Sequence, residues 1–388
     1  NIEDTNLLIE NNILYASSDK TVIVRAVPSA VYGYIDEVEL INITTVFDFA
    51  FYNCNSIRKI IFGESLEGYG LGQGAFLNSK ILLLDLSKSS KLNILQDYTF
   101  CNATNLIDVK LPMNGRLAAL CGHLFVNNTK LKSIELPNTI VTIRGKSNTG
   151  NTYTDIFDGN YSYVFKNCGF ESLVLPSSLN KCGMYLVNDC HNLKRFEYPK
   201  YFDIRSTYSL LSSCSSLEEI VLPIFSTISK DKSWFICRDN KIISGPFLSE
   251  AEAGSRLNAY NESKPTNYNA IYSVIEKNAN EEFVINDEFY TKGRVTTFER
   301  CYNVNKFVFN EEDTQKIMTT EDEGTSIIRI GKVNIETGVI EPSNKCLVKL
   351  AYITSGYQIS NDIVEIEGGA FSHCINLTGI TVPNTILR

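Results

Sequence analysis

The residues that could support chemistry in this sequence are few, and their spacing does not fit common motifs. The segment "GYGLGQGAF" (68–76) places glycines at 70, 72 and 74. A dinucleotide-binding loop needs Gly-x-Gly-x-x-Gly between a strand and a helix, and strict alternation does not provide that spacing. We therefore interpret these glycines as turn residues and predict that the chain binds no nucleotide cofactor.

The three histidines give little support for catalysis. His191 and His373 adjoin Cys190 and Cys374 in the sequence. Neighbours in a strand or turn rarely face each other, whereas a nucleophile and its base must approach to about 3 Å. We therefore predict no catalytic residues, and we expect these two histidines and His123 to be hydrogen-bonded or solvated.

Neither the acidic runs nor the cysteines match a metal site. The runs at 311–313 and 321–323 lack the Asp-x-Asn-x-Asp-Gly spacing of a calcium loop. The eleven cysteines include no Cys-x-x-Cys pair, and their odd number fits neither a complete disulfide framework nor a zinc site. The sequence therefore predicts no metal site and no cofactor.

A repeated sequence pattern predicts the secondary-structure elements that position these residues. "CSSLEEIVLP" ends at Pro223 and "CINLTGITVP" ends at Pro383, and each contains an apolar trio with the spacing Leu-x-x-Ile-x-aliphatic. A large apolar residue, usually Phe, precedes each trio, and we call it the landmark residue. The first four landmark residues are 25, 24 and 25 residues apart: Phe51, Phe76, Phe100 and Phe125.

A period of 20–29 residues with this apolar core is the signature of a leucine-rich repeat. In "IEL" (134–136), alternation directs Ile134 and Leu136 inward and Glu135 outward, as a short strand requires. Pro137 then ends the strand, because it has no N–H to donate. One repeat, or coil, cannot bury its own apolar face, so we expect the coils to stack into a continuous core.

Three stretches resemble the BspA-type leucine-rich repeat: "AFYNC" (50–54) with the trio after it, "LKSIELPNTIVTI" (131–143) and "GGAFSHCINLTGITVPNTI" (368–386). The resemblance covers residues 40–225 and 298–388. It implies a right-handed repeat solenoid, mostly β with short helical or 3-10 turns. It also implies a secreted or surface-displayed protein that binds host proteins or matrix.

We predict four regions along the chain: an N-terminal hairpin cap at 1–40, a repeat array at 41–225, an irregular insertion at 226–297, and a second repeat segment with an inserted hairpin at 298–388. Hairpins are expected at 13–26, at 338–351 and, less regularly, at 235–245, because short apolar runs flank turn-forming residues there. The insertion is either a tolerated surface excursion or a segment that contacts a partner.

Many cysteines share one slot, three residues after the landmark residue: Cys54, Cys168, Cys190, Cys214, Cys301 and Cys374. Ser79, Ala103 and Asn128 occupy the same slot in other coils. Such a slot needs a small side chain that packs or accepts a hydrogen bond from the local backbone. We therefore predict buried structural thiols, with a disulfide or a reactive role as the alternative.

The composition limits the partners. A net charge of −8 argues against nucleic-acid binding and against docking on an anionic membrane. No run of 18 apolar residues is present, so we expect no membrane insertion. The sequence begins at Asn1 without a basic and then apolar leader, so a signal peptide is expected to have been removed or to lie outside it.

Outward positions beside the trios should form a strip along the stacked strands, which we call the strand face. Its charged members are the predicted ligand-binding residues: Lys59, Asp85, Asp108, Lys110, Glu135, Arg195, Glu197 and Glu219. An extended and mildly polar strip suits a protein or a glycan better than a small molecule, whose pocket is usually concave and apolar.

We therefore expect a non-enzymatic, monomeric interaction protein, secreted or at the cell surface, whose ligand is a protein or a glycan such as host extracellular matrix. Two alternatives stay open. One is an intracellular or periplasmic leucine-rich repeat scaffold or inhibitor. The other is a carbohydrate-active β-helix enzyme, which needs clustered carboxylates on adjacent coils. Asp85 and Asp108 are the consecutive acidic pair that we expect in register.

Overall fold

The structure is a computed structural model that divides the chain into two compact units. The first comprises Asn1–Glu171, Cys182–Cys190 and Asn258–Tyr268, and the second Ser172–Lys181, His191–Leu257 and Asn269–Arg388. The described residues are 7–16, 18–27, 33–143, 162–179, 182–199, 202, 210–223, 233–238, 241–247, 250, 254, 257, 272–277, 298–299, 301, 303–309, 318–333, 340–351, 355–372 and 374–387.

Short strands and turns make up most of both units, which confirms the predicted mostly-β solenoid. The strands are β1 Leu8–Glu10, β2 Ile13–Tyr15, β3 Val22–Ala26, β4 Ile35–Leu40, β5 Thr45–Val46, β6 Ile57–Phe62, β7 Glu67–Gly68, β8 Leu83–Asp85, β9 Lys91–Leu92, β10 Ile94–Leu95, β11 Asp108–Lys110, β12 Ala119–Leu120, β13 Thr142–Ile143, β14 Ser172–Val174, β15 Val187–Asn188, β16 Arg195–Glu197, β17 Leu211–Ser212, β18 Glu219–Leu222, β19 Ser233–Arg238, β20 Lys241–Phe247, β21 Tyr272–Lys277, β22 Phe298–Glu299, β23 Lys306–Phe309, β24 Met318–Glu321, β25 Ser326–Val333, β26 Ile340–Leu350, β27 Gly356–Gln358, β28 Ile363–Ile366 and β29 Gly379–Thr381. A 3-10 helix covers Asp322–Gly324.

Parallel strands of the first unit form a ladder in the order β4-β6-β8-β11. Their inward row consists of buried residues in register: Val38, Ile60, Leu84 and Val109. The ladder therefore begins at β4, inside the range 1–40 that the sequence assigned to the cap. Ahead of it, β2 and β3 pair antiparallel, which confirms the hairpin expected at 13–26.

The landmark residues form a stack of rings in the core. Phe51, Phe76, Phe100, Phe125 and Phe165 are fully buried. Successive ring centroids lie 4.7, 5.8, 5.0 and 5.8 Å apart, and neighbouring ring planes are within 18° of parallel. Because adjacent hydrogen-bonded strands are spaced by about 4.8 Å, each coil places one ring against the next.

Backbone hydrogen bonds hold the turns at the same spacing. The N–H groups of the landmark residue and of the residues two positions before and after it donate to carbonyl groups of the next coil. Phe49 N–H donates to Gln73 O at 2.9 Å, Phe51 N–H to Ala75 O at 2.7 Å and Asn53 N–H to Leu77 O at 3.0 Å. Phe49 and Asn53 have φ of 57° and 56°, a region that Asn enters more readily than most residues. Gly74 takes the place of Phe49 in the next coil at φ 58°, and a Cβ there would lie 2.5 Å from Phe49 Cε1.

The cysteine slot supplies hydrogen-bond donors. In three coils its side chain donates to the carbonyl of the landmark residue in the preceding coil: Cys168 Sγ to Phe125 O at 3.1 Å, Cys190 Sγ to Phe165 O at 2.9 Å and Asn128 Nδ2 to Phe100 O at 3.0 Å. The predicted acceptor role is wrong in these coils, because the group that needs a partner is a carbonyl. Ten of the eleven cysteines are free, and nine of those ten are buried.

In the second unit, the ladder β14-β16-β18-β23 repeats this arrangement. Its inward row is buried: Leu173, Phe196, Ile220 and Phe307. The same unit contains a sheet with the order β24-β25-β26-β28, in which β25 and β26 are antiparallel.

The hairpin expected at 338–351 is wrong, because residues 340–350 form the single strand β26. Strand β25 pairs along both halves of β26, from Ser326↔Leu350 to Val333↔Ile340. A register shift between Arg329 and Gly331 accommodates the turn-like sequence around Pro342. A continuous pairing partner thus overrides the local turn signal.

The range 226–297 is not irregular where the structure describes it. Strands β20, β19 and β21 form an antiparallel sheet, and Arg238 opposite Lys241 closes the hairpin expected at 235–245. The segments "SWFICR" and "YSVIEK" are rich in aromatic and β-branched residues, which favour strands.

The strand expected at 134–136 is also absent from the described strands. Leu136 is buried and Glu135 is exposed, as alternation predicts, but no ladder bonds form there. The next landmark residue follows after 40 residues instead of 24 or 25. The next coil bonds to this one at positions that precede residues 134–136. Gly169 N–H donates to Asn128 O, and Glu171 N–H donates to Lys132 O.

Phe100→Ala tests the ring stack, because Phe100 lies between Phe76 and Phe125. We expect the free energy of unfolding to fall by about 3–5 kcal/mol, since a buried ring is lost and a cavity remains. Phe47→Ala is the matched control, because the Phe47 side chain is 48% exposed; its cost should be about 1 kcal/mol or less. Urea denaturation measures both, and equal losses would contradict the role of the stack.

Candidate functional site

The strand face of the first unit carries four predicted residues. Strands β6, β8 and β11 align Lys59 with Leu83 and Asp108 in one outward row, and Ile61 with Asp85 and Lys110 in the other. Asp85 therefore lies opposite Lys110 and not opposite Asp108. The predicted acidic pair in register is wrong, because the two carboxylates occupy different outward rows.

Asp85 is held as a carboxylate within this face. Ser87 donates to Asp85 Oδ1 through its N–H at 2.9 Å and its hydroxyl at 2.6 Å, and Lys110 Nζ lies 3.6 Å from Oδ2. Burial alone would raise the pKa of Asp85, but these hydrogen bonds and the lysine charge outweigh it and lower the pKa. Asp85 and Lys110 thus form an ion pair between adjacent coils.

Lys59 pairs with residues of β4. Its Nζ lies 3.3 Å from Asp36 Oδ2 and 3.9 Å from Glu37 Oε2, and Arg58 Nη1 lies 3.9 Å from Asp36 Oδ1. Sequence reasoning missed Asp36 and Glu37, because it placed them in the cap. The alternation in "IDEVEL" (35–40) was the signal that could have found them.

The strand face of the second unit carries a connected charge network. Arg195 Nε lies 2.8 Å from Glu219 Oε1, Arg195 Nη2 lies 2.8 Å from Glu197 Oε2, and Lys306 Nζ lies 3.0 Å from Glu219 Oε2. The predicted residues Arg195, Glu197 and Glu219 are thus brought together. Lys306 was missed, although the register Arg195↔Glu219↔Lys306 places it in the same outward row.

These contacts shift the pKa values of Glu219 and Arg195. Burial alone would raise the pKa of Glu219, but hydrogen bonds and charge from Lys306 and Arg195 lower it. Burial alone would lower the pKa of Arg195, and its bonds to Glu219 and Glu197 raise it instead. Glu219 and Arg195 are therefore both charged at neutral pH. Glu135, by contrast, is exposed and lies outside the strands, so it is not part of either ladder.

An asparagine row along the turns of the first unit was not predicted. Asn102 Nδ2 donates to Asn78 Oδ1 at 3.0 Å, Asn127 Nδ2 to Asn102 Oδ1 at 2.6 Å, and Asn167 Nδ2 to Asn127 Oδ1 at 2.8 Å. The recurrence of Asn two residues after the landmark residue was its signal in the sequence. The row joins neighbouring turns through side chains as well as backbone.

The described histidines contact residues of neighbouring coils. The His123 ring stacks on Tyr98 at 4.8 Å between centroids and lies 5.5 Å from Tyr163. His191 Nδ1 lies 3.1 Å from Ser215 Oγ. The His191 contact agrees with the prediction that the histidines are hydrogen-bonded or solvated. His123 makes ring contacts, and the prediction for His373 lies outside the described residues.

Burial suppresses the reactivity of the thiols in the core. It raises the pKa of the Cys101 thiol to about 11 and that of Cys182 well above the usual value, so little thiolate forms at neutral pH. Lys349 Nζ donates to Ser372 O at 2.6 Å, and burial lowers the pKa of this amine to about 8. These groups are enclosed by the fold, so their contacts are structural.

Within the described ranges, no three His, Cys, Asp or Glu side chains are grouped so that they could hold a metal ion. No helix in the described part of the chain combines the length and apolar character needed to cross a membrane.

Comparison with known proteins identifies related repeats. The family described as "BspA type Leucine rich repeat region" matches in six copies, over residues 34–154, 160–247 and 276–388. A leucine-rich repeat protein from Bacteroides ovatus is similar at 12% identity and a TM-score of 0.36, over 98% of this chain and 80% of that chain. The T. pallidum leucine-rich repeat protein is similar at 19% identity and a TM-score of 0.33, over 56% and 82%. A leucine-rich cell surface protein from Faecalibacterium prausnitzii is similar at 9% identity and a TM-score of 0.36, over 98% and 77%. No curated protein matches.

Glu219→Gln tests the charge network through pH. Because the pKa of Glu219 is lower in the folded than in the unfolded chain, its stabilising contribution is present above the unfolded pKa and is lost as pH falls through the folded pKa. We expect the variant to be less stable by about 1 kcal/mol near neutral pH, with a difference that shrinks on acidification. Urea denaturation over a pH series measures this.

Glu135→Gln is the control for this series, because Glu135 is exposed and off the ladder. It should change stability little at any pH. A deficit of Glu219→Gln that stays constant down to the most acidic pH would contradict the ionic role of Glu219.

Proposed function

The chain belongs to the BspA-type leucine-rich repeat family, and on that premise we propose that it is a non-enzymatic binding scaffold, secreted or displayed at the cell surface. Its ligand is a protein or a glycan, with host extracellular matrix as the first candidate. The binding surface is the strand face. The proposed extracellular location is supported by membership of this family, and the geometry does not bear on it.

The observation that supports this proposal most is the ordering of charged side chains across adjacent coils. In the second unit, Arg195 and Lys306 both bind Glu219, and in the first unit Lys110 pairs with Asp85. Side chains that are already held in place lose less conformational freedom on binding. Such a surface is suited to a large ligand that touches several coils at once.

The strand face also has the composition expected of a macromolecular binding surface. Each ladder contributes two outward rows of mixed charge at successive rungs, for example Lys59, Leu83 and Asp108. Small-molecule sites are typically concave and mostly apolar. An open row of charged residues instead offers hydrogen-bonding and ionic contacts to a protein or a glycan.

A binding screen with charge-reversed variants tests the proposal. The 388-residue chain is applied to panels of extracellular-matrix proteins and glycans, and each ligand found is measured again with Lys110→Glu and with Lys306→Glu. We expect at least one variant to weaken binding about tenfold, equivalent to about 1.4 kcal/mol, because each reversal places a glutamate beside a carboxylate of the strand face.

Lys130→Glu is the matched control for this screen. Lys130 is exposed, but it lies in a turn, where its Nζ donates to Asn105 Oδ1 at 2.9 Å. It should leave affinity unchanged. Equal losses in Lys130→Glu and the strand-face variants would contradict binding at this face.

The free thiols favour a second candidate function, an intracellular scaffold. Ten of the eleven cysteines are free, and free thiols persist most readily in reducing compartments. Labelling of intact cells with a membrane-impermeant biotin ester, using the full gene, separates the two. We expect labelling without lysis or recovery from the medium; labelling only after lysis would favour the intracellular scaffold.

A further inference from the structure

Within the described ranges, the first ladder strand has an unpaired edge, which we call its free edge. β4 is the terminal strand of its sheet, with β6 on one side, and no other strand of the described residues pairs with it. An unpaired strand edge presents N–H and C=O groups that another extended chain can bind. The identity of those groups follows from the bonding pattern of the other coils.

Residues beside the inward row bond to the preceding coil. Gly63, which lies beside the inward residue Phe62, donates its N–H to Leu40 O at 3.1 Å. Residues of the inward row itself bond to the following coil, as Leu86 N–H does to Lys110 O at 2.8 Å. This alternation is that of a regular parallel ladder.

By the same alternation, the backbone N–H and C=O groups at the free edge of β4 belong to two acidic residues. Val38 and Leu40 are buried in the inward direction, and Glu37 and Glu39 lie between and beside them. The backbone groups of Glu37 and Glu39 therefore face the side on which no preceding coil is described. Both side chains are exposed, so the edge combines backbone bonding capacity with two carboxylates spaced two residues apart.

An apolar residue follows these carboxylates on the same side of the strand. Ile41, two residues after Glu39, is 61% exposed. Ile35 does not belong to this row, because it lies opposite the buried Ile57 and its N–H donates to Ser56 O at 2.7 Å. The outward sequence is thus acidic, acidic, apolar at alternate positions.

The charge pattern of the ladders indicates what would match. Opposite charges meet at successive rungs: Glu37 lies beside Lys59, Asp85 beside Lys110, and Glu219 between Arg195 and Lys306. Opposite charges directly across a strand pair stabilise the pairing, and like charges destabilise it. A further rung against β4 should therefore carry basic residues opposite Glu37 and Glu39, which also disfavours β4 of a second copy.

We propose that the free edge of β4 binds an extended polypeptide segment with Lys or Arg at two alternate positions and an apolar residue at the next alternate position. Binding occurs by strand addition, in which main-chain bonds give affinity and alternate side chains give specificity. This inference rests on the proposed function and narrows its ligand to a protein segment at one defined edge.

A synthetic peptide tests the proposal on the full chain. The probe is acetyl-Val-Thr-Lys-Thr-Lys-Thr-Val-amide with a fluorescent label, and the comparison peptide has Glu in place of both Lys. We expect the Lys peptide to bind about tenfold tighter, measured by fluorescence anisotropy. The double variant Glu37→Lys/Glu39→Lys should reverse this preference, since the charges across the pair are then exchanged.

Glu64→Lys/Glu67→Lys is the matched control, because both glutamates are exposed and lie after β6, away from the edge. It should keep the preference for the Lys peptide. Amide hydrogen exchange provides the backbone readout: exchange at Glu37 and Glu39 should slow when the Lys peptide binds. Unchanged exchange at these amides, no binding of the Lys peptide, or an unreversed preference in the edge variant overturns the proposal.

The experiment separates this inference from the proposed function. Ligands lost in Lys110→Glu or Lys306→Glu, together with no binding of the Lys peptide, would support the strand-face function and overturn strand addition at β4. Reversal of the peptide preference with no ligand in either panel would support the β4 edge and leave the strand face without its function.

Discussion

The hydrogen bonds that join each turn to the turn of the next coil set the spacing on which the rest of the structure depends. The bond from Phe51 N–H to Ala75 O, at 2.7 Å, brings Phe76 to 4.7 Å from Phe51 between ring centroids. Every slot is then repeated at this spacing. Rings stack on rings, and amides bond to amides, as in Asn102 and Asn127. In three coils a side-chain donor bonds to the carbonyl of the preceding landmark residue.

The fold was predictable because its determinants are apolar and periodic. The landmark residues and the trios are hydrophobic at fixed spacing, and hydrophobic periodicity survives the replacement of most surface residues. Local turn signals were less reliable. The sequence around Pro342 resembles a hairpin turn, yet β25 pairs along both sides of it and keeps β26 continuous. The choice between strand and turn there depends on a partner that is distant in the sequence.

The candidate site could be predicted only in part, because charge pairing depends on register between coils. Alternation alone identified Arg195, Glu197 and Glu219 as outward residues, and the structure joins them. It did not reveal that Asp85 lies opposite Lys110. To predict this pair, the two strands must first be aligned by their inward residues, Leu84 and Val109, and each charged residue then located by its position relative to them. The asparagine row was missed for another reason: a half-exposed polar residue carries no hydrophobic signal.

The one-to-one repetition of slots also affects how such a gene can change. Phe76, Phe100 and Phe125 occupy equivalent places, with Asn78, Asn102 and Asn127 following two residues later. Recombination between the DNA segments that encode two coils removes or adds a whole rung, and the new neighbours still present complementary surfaces. The array can therefore lengthen or shorten across generations while its cross-section, and the chemistry of each exposed row, is inherited intact.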